Sequence, residues 1–175
     1  MNLRSLASFA CTVLLATSSF AQMGKAVPSP PETATVSLNG KTLTVKYGAP
    51  SMRGRKIMGE LVPYDKVWRT GANESTTFVS AADLKIGGTP VPAGSYTLYT
   101  LPGSSQWLLI VNKQTGQWGT NYDQSQDVAR IPMKSAKLSS PQEKMSITFE
   151  NTHGNSTELH VKWENTDESV TVTAQ

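Results

Sequence analysis

An antiparallel β-sandwich of about ten short strands is the fold class this sequence predicts. Three observations carry the expectation. Apolar and polar residues alternate over short runs, as in Leu43-Thr-Val-Lys-Tyr47 and Met145-Ser-Ile-Thr-Phe149. Turn residues separate these runs at the close, regular spacing typical of all-β domains. No stretch repeats its apolar residues at helical spacing for long enough to make an amphipathic helix. A closed barrel would read in much the same way and is the alternative.

The chain opens with Met1–Arg4, a short basic segment, followed by the apolar run Ser5–Thr17 and the small-x-small triplet Ser19-Phe20-Ala21. This is the pattern of a secretory signal cleaved after Ala21, and it predicts a protein exported to the periplasm or the extracellular space. No other stretch approaches the roughly 20 apolar residues needed to span a bilayer, so no membrane span is expected. Residues 22–31 are Pro-rich and read as a flexible lead-in, leaving 32–175 as one β-sandwich domain.

Ala34, Val36 and Leu38 alternate up to Asn39-Gly40, and Leu43, Val45 and Tyr47 alternate after it. Asn-Gly between two such runs predicts a two-residue hairpin, because both turn positions need positive φ. The register follows: Leu38 opposite Lys41, Val36 opposite Leu43, Ala34 opposite Val45. Gly48-Ala-Pro50 closes the strand, and no convincing strand follows until Ser75. Such a long loop is uncommon in a compact domain. Its apolar residues (Ile57, Met58, Leu61, Val62, Val67, Trp68) predict that it is packed and ordered, with a short helical turn near Lys56–Leu61.

Strands are expected at Ser75–Ser80, Leu84–Ile86, Tyr96–Thr100 and Trp107–Asn112, with a short piece at Gln117–Gly119. Pro90 to Gly94 is too Pro-rich for a central strand, and Pro132 places Val128–Met133 at an edge. Lys134–Gln142 reads as a polar connection. Met145 to Phe149 and Leu159 to Trp163 alternate clearly, Asn165–Asp167 reads as a turn, and Val170 and Val172 complete the last strand.

Composition narrows the chemistry. Cys11 is the only cysteine and lies within the leader, which removes disulfides, thiolate metal sites and cysteine nucleophiles from consideration. Sixteen Lys and Arg face thirteen Asp and Glu, and Arg4 leaves with the leader, so the mature chain is close to neutral. A nucleic-acid partner would call for a larger, clustered basic surplus. There is no Gly-x-Ser-x-Gly elbow, no phosphate loop and no His-Glu-x-x-His. His153 falls in a turn and His160 on the polar face of its strand. Both read as surface histidines, and neither a metal site nor a cofactor is expected.

The distinctive stretch is Arg53–Phe78. Arg53, Arg55, Lys56, Lys66 and Arg69 fall within 17 residues and are answered there by only Glu60 and Asp65. Arg suits an anion-binding concavity, since its planar fork grips carboxylate or phosphate with two hydrogen bonds. The plain alternative is a solvated loop with internal ion pairs. Trp68-Arg-Thr-Gly-Ala-Asn-Glu74 reads as a packed polar network in which an Arg69–Glu74 pair braces the loop from inside. Trp107, Trp118 and Tyr122 could offer a stacking surface or serve as core and turn plugs.

These same residues carry a family resemblance. Arg55-Lys-Ile-Met-Gly59, Leu61-Val-Pro-Tyr64, Val67-Trp-Arg-Thr-Gly-Ala-Asn-Glu74, Pro92-Ala-Gly-Ser-Tyr96, Gln117-Trp-Gly119 and Asp127-Val-Ala-Arg-Ile-Pro132 resemble the signature of the bacterial domain-of-unknown-function family 2911. The resemblance spans about Ser29 to Thr173. It implies an exported β-rich domain with no established activity, and it supplies no catalytic residue.

The reading that follows is a non-catalytic binding module for an anionic or carbohydrate-like envelope ligand. Its candidate contacts are Arg53, Arg55, Lys56, Tyr64, Trp68, Arg69, Asn73, Glu74 and Trp118. A second reading is a hydrolase or isomerase using Glu74, Asp65 or Tyr64 as acid or base beside Arg69. A third is a structural or interaction domain whose loop merely plugs one end of the sandwich.

Overall fold

The computed structural model describes residues 28–175. The expected signal, residues 1–21, and residues 22–27 of the lead-in lie outside the described residues. Among the described residues ten strands form two antiparallel sheets: β1 (Pro31–Leu38), β2 (Lys41–Gly48), β3 (Thr76–Ser80), β4 (Leu84–Ile86), β5 (Thr89–Val91), β6 (Gly94–Leu101), β7 (Leu108–Asn112), β8 (Asp127–Pro132), β9 (Lys134–His153) and β10 (Ser156–Ala174). The first sheet has the order β1-β2-β3-β6-β7-β8 and the second β5-β4-β10-β9. Both sheets keep open edges, so the architecture is a sandwich and not a closed barrel. Among the described residues no helix is long and apolar enough to cross a membrane.

The hairpin has the register the alternation predicts, with Leu38 opposite Lys41, Val36 opposite Leu43 and Ala34 opposite Val45. Asn39 (φ 47°) and Gly40 (φ 78°) both take the left-handed conformation such a turn requires. All four Pro-containing strands lie at edges: β1, with Pro31, and β8, with Pro132, bound the first sheet, and β5, with Pro90, and β9, with Pro141, bound the second. There a missing N–H interrupts no ladder.

The second sheet departs from expectation in three places. Lys134–Gln142 is not a connection but the first half of β9. It pairs with β10 on one side only and exposes most of its residues, so it has no apolar face to alternate. Asn165–Asp167 is not a turn either. It lies inside β10, where the pairing slips on either side of Glu164, itself at φ 54°. The bulge inverts the inward parity: Leu159, Val161 and Trp163 face the core before it, Val170, Val172 and Ala174 after it. And His160 is buried, not a surface residue.

Its Nδ1 lies 2.7 Å from Asp167 Oδ1, while Nε2 faces Glu158 and Glu150 at 3.6 and 4.0 Å. Lys162 Nζ donates to both oxygens of Glu150, at 2.7 and 2.9 Å. Partial burial works against ionising Glu150, but its hydrogen bonds from Lys162 and Thr148 prevail and hold its carboxyl below the usual range. The outer face of this sheet is therefore a connected ionic layer.

The core joins both sheets, with Leu43, Val45, Phe78, Leu98 and Ile131 meeting Leu84, Ile86, Ile147, Leu159 and Trp163. Tyr47 ties the layers, since Ile147 N–H donates to its hydroxyl at 3.0 Å.

The loop between β2 and β3 adds Ile57, Met58 and Val62 to the core, all buried. Each such side chain contributes about 2 kcal/mol, which holds a segment with little ladder of its own. The expected helical turn near Lys56–Leu61 is instead a tight non-helical turn. Val62 N–H donates to Ile57 O at 2.9 Å, and Met58 bridges Val62. Its anchor comes from the bulge in β10, where the Glu164 carboxylate accepts Ile57 N–H at 3.3 Å and Met58 N–H at 3.0 Å.

Candidate ligand-binding site

The segment Trp68–Glu74 divides its backbone from its side chains. Trp68 and Thr100 exchange both backbone hydrogen bonds, at 2.8 and 2.9 Å. Thr70 Oγ1 donates to Thr100 Oγ1 at 3.1 Å, and Thr76 Oγ1 donates to Thr70 O at 2.9 Å. Ala72 N–H donates to Gly48 O at 3.1 Å, and the chains lie so close that a Cβ on Gly48 would sit 2.3 Å from Ala72 O. The brace is real, but it is made of backbone and threonine hydroxyls. Among the described residues no ion pair joins Arg69 to Glu74. A solvated carboxylate gains little from a surface pairing, and the buried turn is already satisfied without one.

Arg69 instead turns toward a cavity of about 440 Å³. Its nearest hydrogen-bond partner is Asn73 O, at a long 3.5 Å. Arg55 lines the same cavity, with Nε and Nη2 donating to the carbonyls of Met52 and Ser51 at 2.9 and 2.7 Å. Both guanidinium groups are thus held by neutral oxygens, and among the described residues no Asp or Glu lines the cavity. Trp68 forms one wall, stacked on Trp163 at 5.9 Å and meeting Trp107 edge-on at 6.3 Å.

Tyr99 and Tyr122 form another wall, edge to face at 4.9 Å. Tyr122 donates to Asp127 Oδ2 at 2.6 Å and accepts from Arg130 Nη2 at 2.6 Å. Burial, reinforced by the bond to Asp127, pushes its phenol up to about 12. Tyr122 is therefore a neutral wall at physiological pH.

A second cavity of about 450 Å³ lies on the other side of Ser29, Ala72 and Asn73, which line both. Glu74 and Trp118 belong to this one. The candidates named from sequence therefore fall into three groups. Arg55, Trp68, Arg69 and Asn73 line the first cavity, and Asn73, Glu74 and Trp118 line the second. Arg53, Lys56 and Tyr64 are exposed and line neither. Arg53 secures the chain entry, donating to Pro28 O and, through its backbone N–H, to Glu143 Oε1, both at 2.9 Å. Lys56 pairs with Glu60 at 3.5 Å in solvent. Asp65, the other acid considered for catalysis, is also exposed and outside both cavities.

Tyr99 and Trp163 were not foreseen. Tyr99 carried a signal, since it falls opposite Leu98 in the alternation, a large ring on the nominally outward face. Trp163 read as core, which it also is. Among the described residues no three His, Cys, Asp or Glu side chains gather so as to hold a metal.

Gly119 closes the site. A Cβ there would meet Arg69 Cδ at 2.6 Å and the carbonyls of Asn73 and Glu74 at 2.9 and 3.0 Å. Because two of these are backbone, Gly119→Ala is expected to lower stability by about 1–3 kcal/mol in denaturant unfolding and to displace Arg69.

Fold and site together define a two-sheet antiparallel sandwich whose long inter-strand loop builds a cationic, aromatic-walled cavity. The family described as Protein of unknown function (DUF2911) matches residues 29–172, and the chain belongs to it. No curated protein and no solved structure matches the chain.

Proposed function

We propose that this domain is an exported, non-catalytic binding module whose first cavity takes a small anionic ligand of carbohydrate-like shape. The supporting observation is the charge of that cavity, which is lined by two guanidinium groups and no carboxylate. An anion supplies the partner that Arg69 lacks, and Arg makes such bonds in pairs. The flat walls of Trp68, Tyr99 and Tyr122 suit a ring, and Ser29, Asn73 and Thr120 supply polar groups on the lining. The leader at residues 1–21 supports a periplasmic or extracellular setting, where acidic sugars and phosphorylated envelope fragments are to be met.

Titration calorimetry with glucuronic acid and glucose 6-phosphate, with glucose as the neutral control, tests the reading. The acidic sugars are expected to bind and glucose to bind at least tenfold more weakly. Arg69→Ala should weaken binding by about 10- to 100-fold, the range of a charge-assisted hydrogen bond, with little change in thermal midpoint. Equal binding of acidic and neutral sugars, or an Arg69→Ala protein that binds as well as wild type, would overturn it.

A further inference from the structure

Trp118 is the most exposed large apolar side chain among the described residues, at 51%. Its backbone is nonetheless fixed. Gln117–Gly119 lies against Asn73–Ser75 as a short added strand, with Gly119 N–H donating to Asn73 O at 3.1 Å and Ser75 N–H to Gln117 O at 3.3 Å. Asn121 N–H donates to Trp118 O at 2.9 Å. The ring therefore projects from a fixed backbone. The second cavity lies against it, and a further depression of about 220 Å³ also borders it. Glu74, Ser75 and Thr77 line both. The two hollows share these three residues and the indole, so they adjoin as one groove with Trp118 on the shared border.

Apart from Pro31, Tyr47 and Ala72, the rest of the groove is lined by polar residues and is close to neutral. Lys46 offers donors, Glu74 acceptors, and Thr33 and Thr77 both. Glu32 is already neutralised by Lys144 Nζ at 2.7 Å. An apolar protein partner would want more than one large apolar side chain here, and a highly charged one would want a single sign of charge. An uncharged polyhydroxylated chain fits both features, since its C–H faces cover the indole while its hydroxyls meet mixed donors and acceptors.

We propose that this groove is a second binding site, taking a neutral linear glycan with sugar units on both sides of Trp118. It rests on Trp118 and Glu74, which the anion cavity lacks, although Ser29, Ala72 and Asn73 border both, and it stands or falls separately. Affinity electrophoresis through gels containing hydroxyethylcellulose, xylan, glucomannan, pullulan or laminarin tests it, with pull-down on insoluble chitin. Wild type is expected to be retarded by, or to sediment with, at least one of these, and the bound glycan should reduce acrylamide quenching of its tryptophan fluorescence. Trp118→Ala should weaken that binding about tenfold or more. Trp118→Phe, which keeps a ring on the same backbone, should retain part of it, and Arg69→Ala all of it. Absence of binding to every polysaccharide, or binding by Trp118→Ala equal to wild type, would refute the site. Loss of binding in Arg69→Ala but not in Trp118→Ala would assign the glycan to the first cavity and refute this groove.

Discussion

Replacing Glu164 by Ala is expected to lower the unfolding free energy by about 2–4 kcal/mol and to release the loop that walls the first cavity. The carboxylate accepts the amides of both Ile57 and Met58 from inside the β10 bulge. Without it two partly buried donors are left seeking water, and the three core side chains of the loop lose their anchor. Leu61, Val62, Pro63 and Val67 follow directly in the chain and line the cavity, so ligand affinity should fall along with stability. Hydrogen exchange reads the effect locally, as faster exchange at Ile57 and Met58 than in the sheets. Two companion variants separate causes. Glu164→Gln keeps one acceptor oxygen and should lose about half as much. Glu164→Gly loses the anchor but relieves the φ of 54°, and should exceed Ala in stability by about 1 kcal/mol. Unchanged amide protection in Glu164→Ala would show that packing alone holds the loop.

Glu168→Gln is expected to stabilise the protein at pH 8 and to leave it unchanged near pH 4. Glu168 is only 2% exposed and receives one hydrogen bond, from Ser135 Oγ at 2.7 Å. Burial, with a smaller contribution from the neighbouring Asp167 carboxylate, pushes its carboxyl up to about 7 from an ordinary 4.5. The sign follows from which state holds the proton. Below about pH 4.5 the group is protonated whether the chain is folded or not, and there is no penalty. Between about 4.5 and 7 the unfolded chain releases its proton while the folded one keeps it, so stability falls as pH rises. Above about 7 the loss levels off at up to about 3 kcal/mol. Gln keeps an acceptor for Ser135 and carries no charge. Urea unfolding of both proteins from pH 4 to 8 should give a difference that opens through this window. Because Glu150 and Glu158, whose carboxyls are held low, titrate in both proteins, their opposite contribution cancels. A difference independent of pH would remove the buried-charge account.

Much of the fold was written locally. Asn39-Gly40 and its flanking alternation set the β1–β2 register residue by residue, because turn conformation and side-chain period depend only on neighbours in the chain. Pro132 marked an edge strand, and Pro90 excluded a central one, for an equally local reason. The second half of the chain was harder to read where locality failed. The first part of β9 has a partner on one side only and no buried face, so its composition matched a connection. The Glu164 bulge inverted the inward parity of β10, and an inversion of parity is indistinguishable in sequence from a turn between two strands. His160 was misplaced by the same logic, since a polar residue on an outer face reads as solvated until Asp167, brought back past the bulge, closes over it.

The candidate site divides along the same line. The sequence alone determined that Arg53–Glu74 was an ordered, cation-rich interruption of a plain β pattern, since that needs only composition and periodicity. It determined too that Tyr and Trp were close by in number. Which cations remain without a carboxylate was decided by tertiary structure. Lys56 meets Glu60, the Arg53 guanidinium ties down Pro28 O, Lys66 stands in solvent, and Arg55 and Arg69 are held among neutral oxygens facing a hollow. Tertiary structure also moved Glu74 and Trp118 to the far side of Asn73, into a groove of their own. Hydrogen-bond partners of long side chains come from wherever the fold brings the backbone close, here from β10 and the residues just before β1, and no spacing within the loop encodes that.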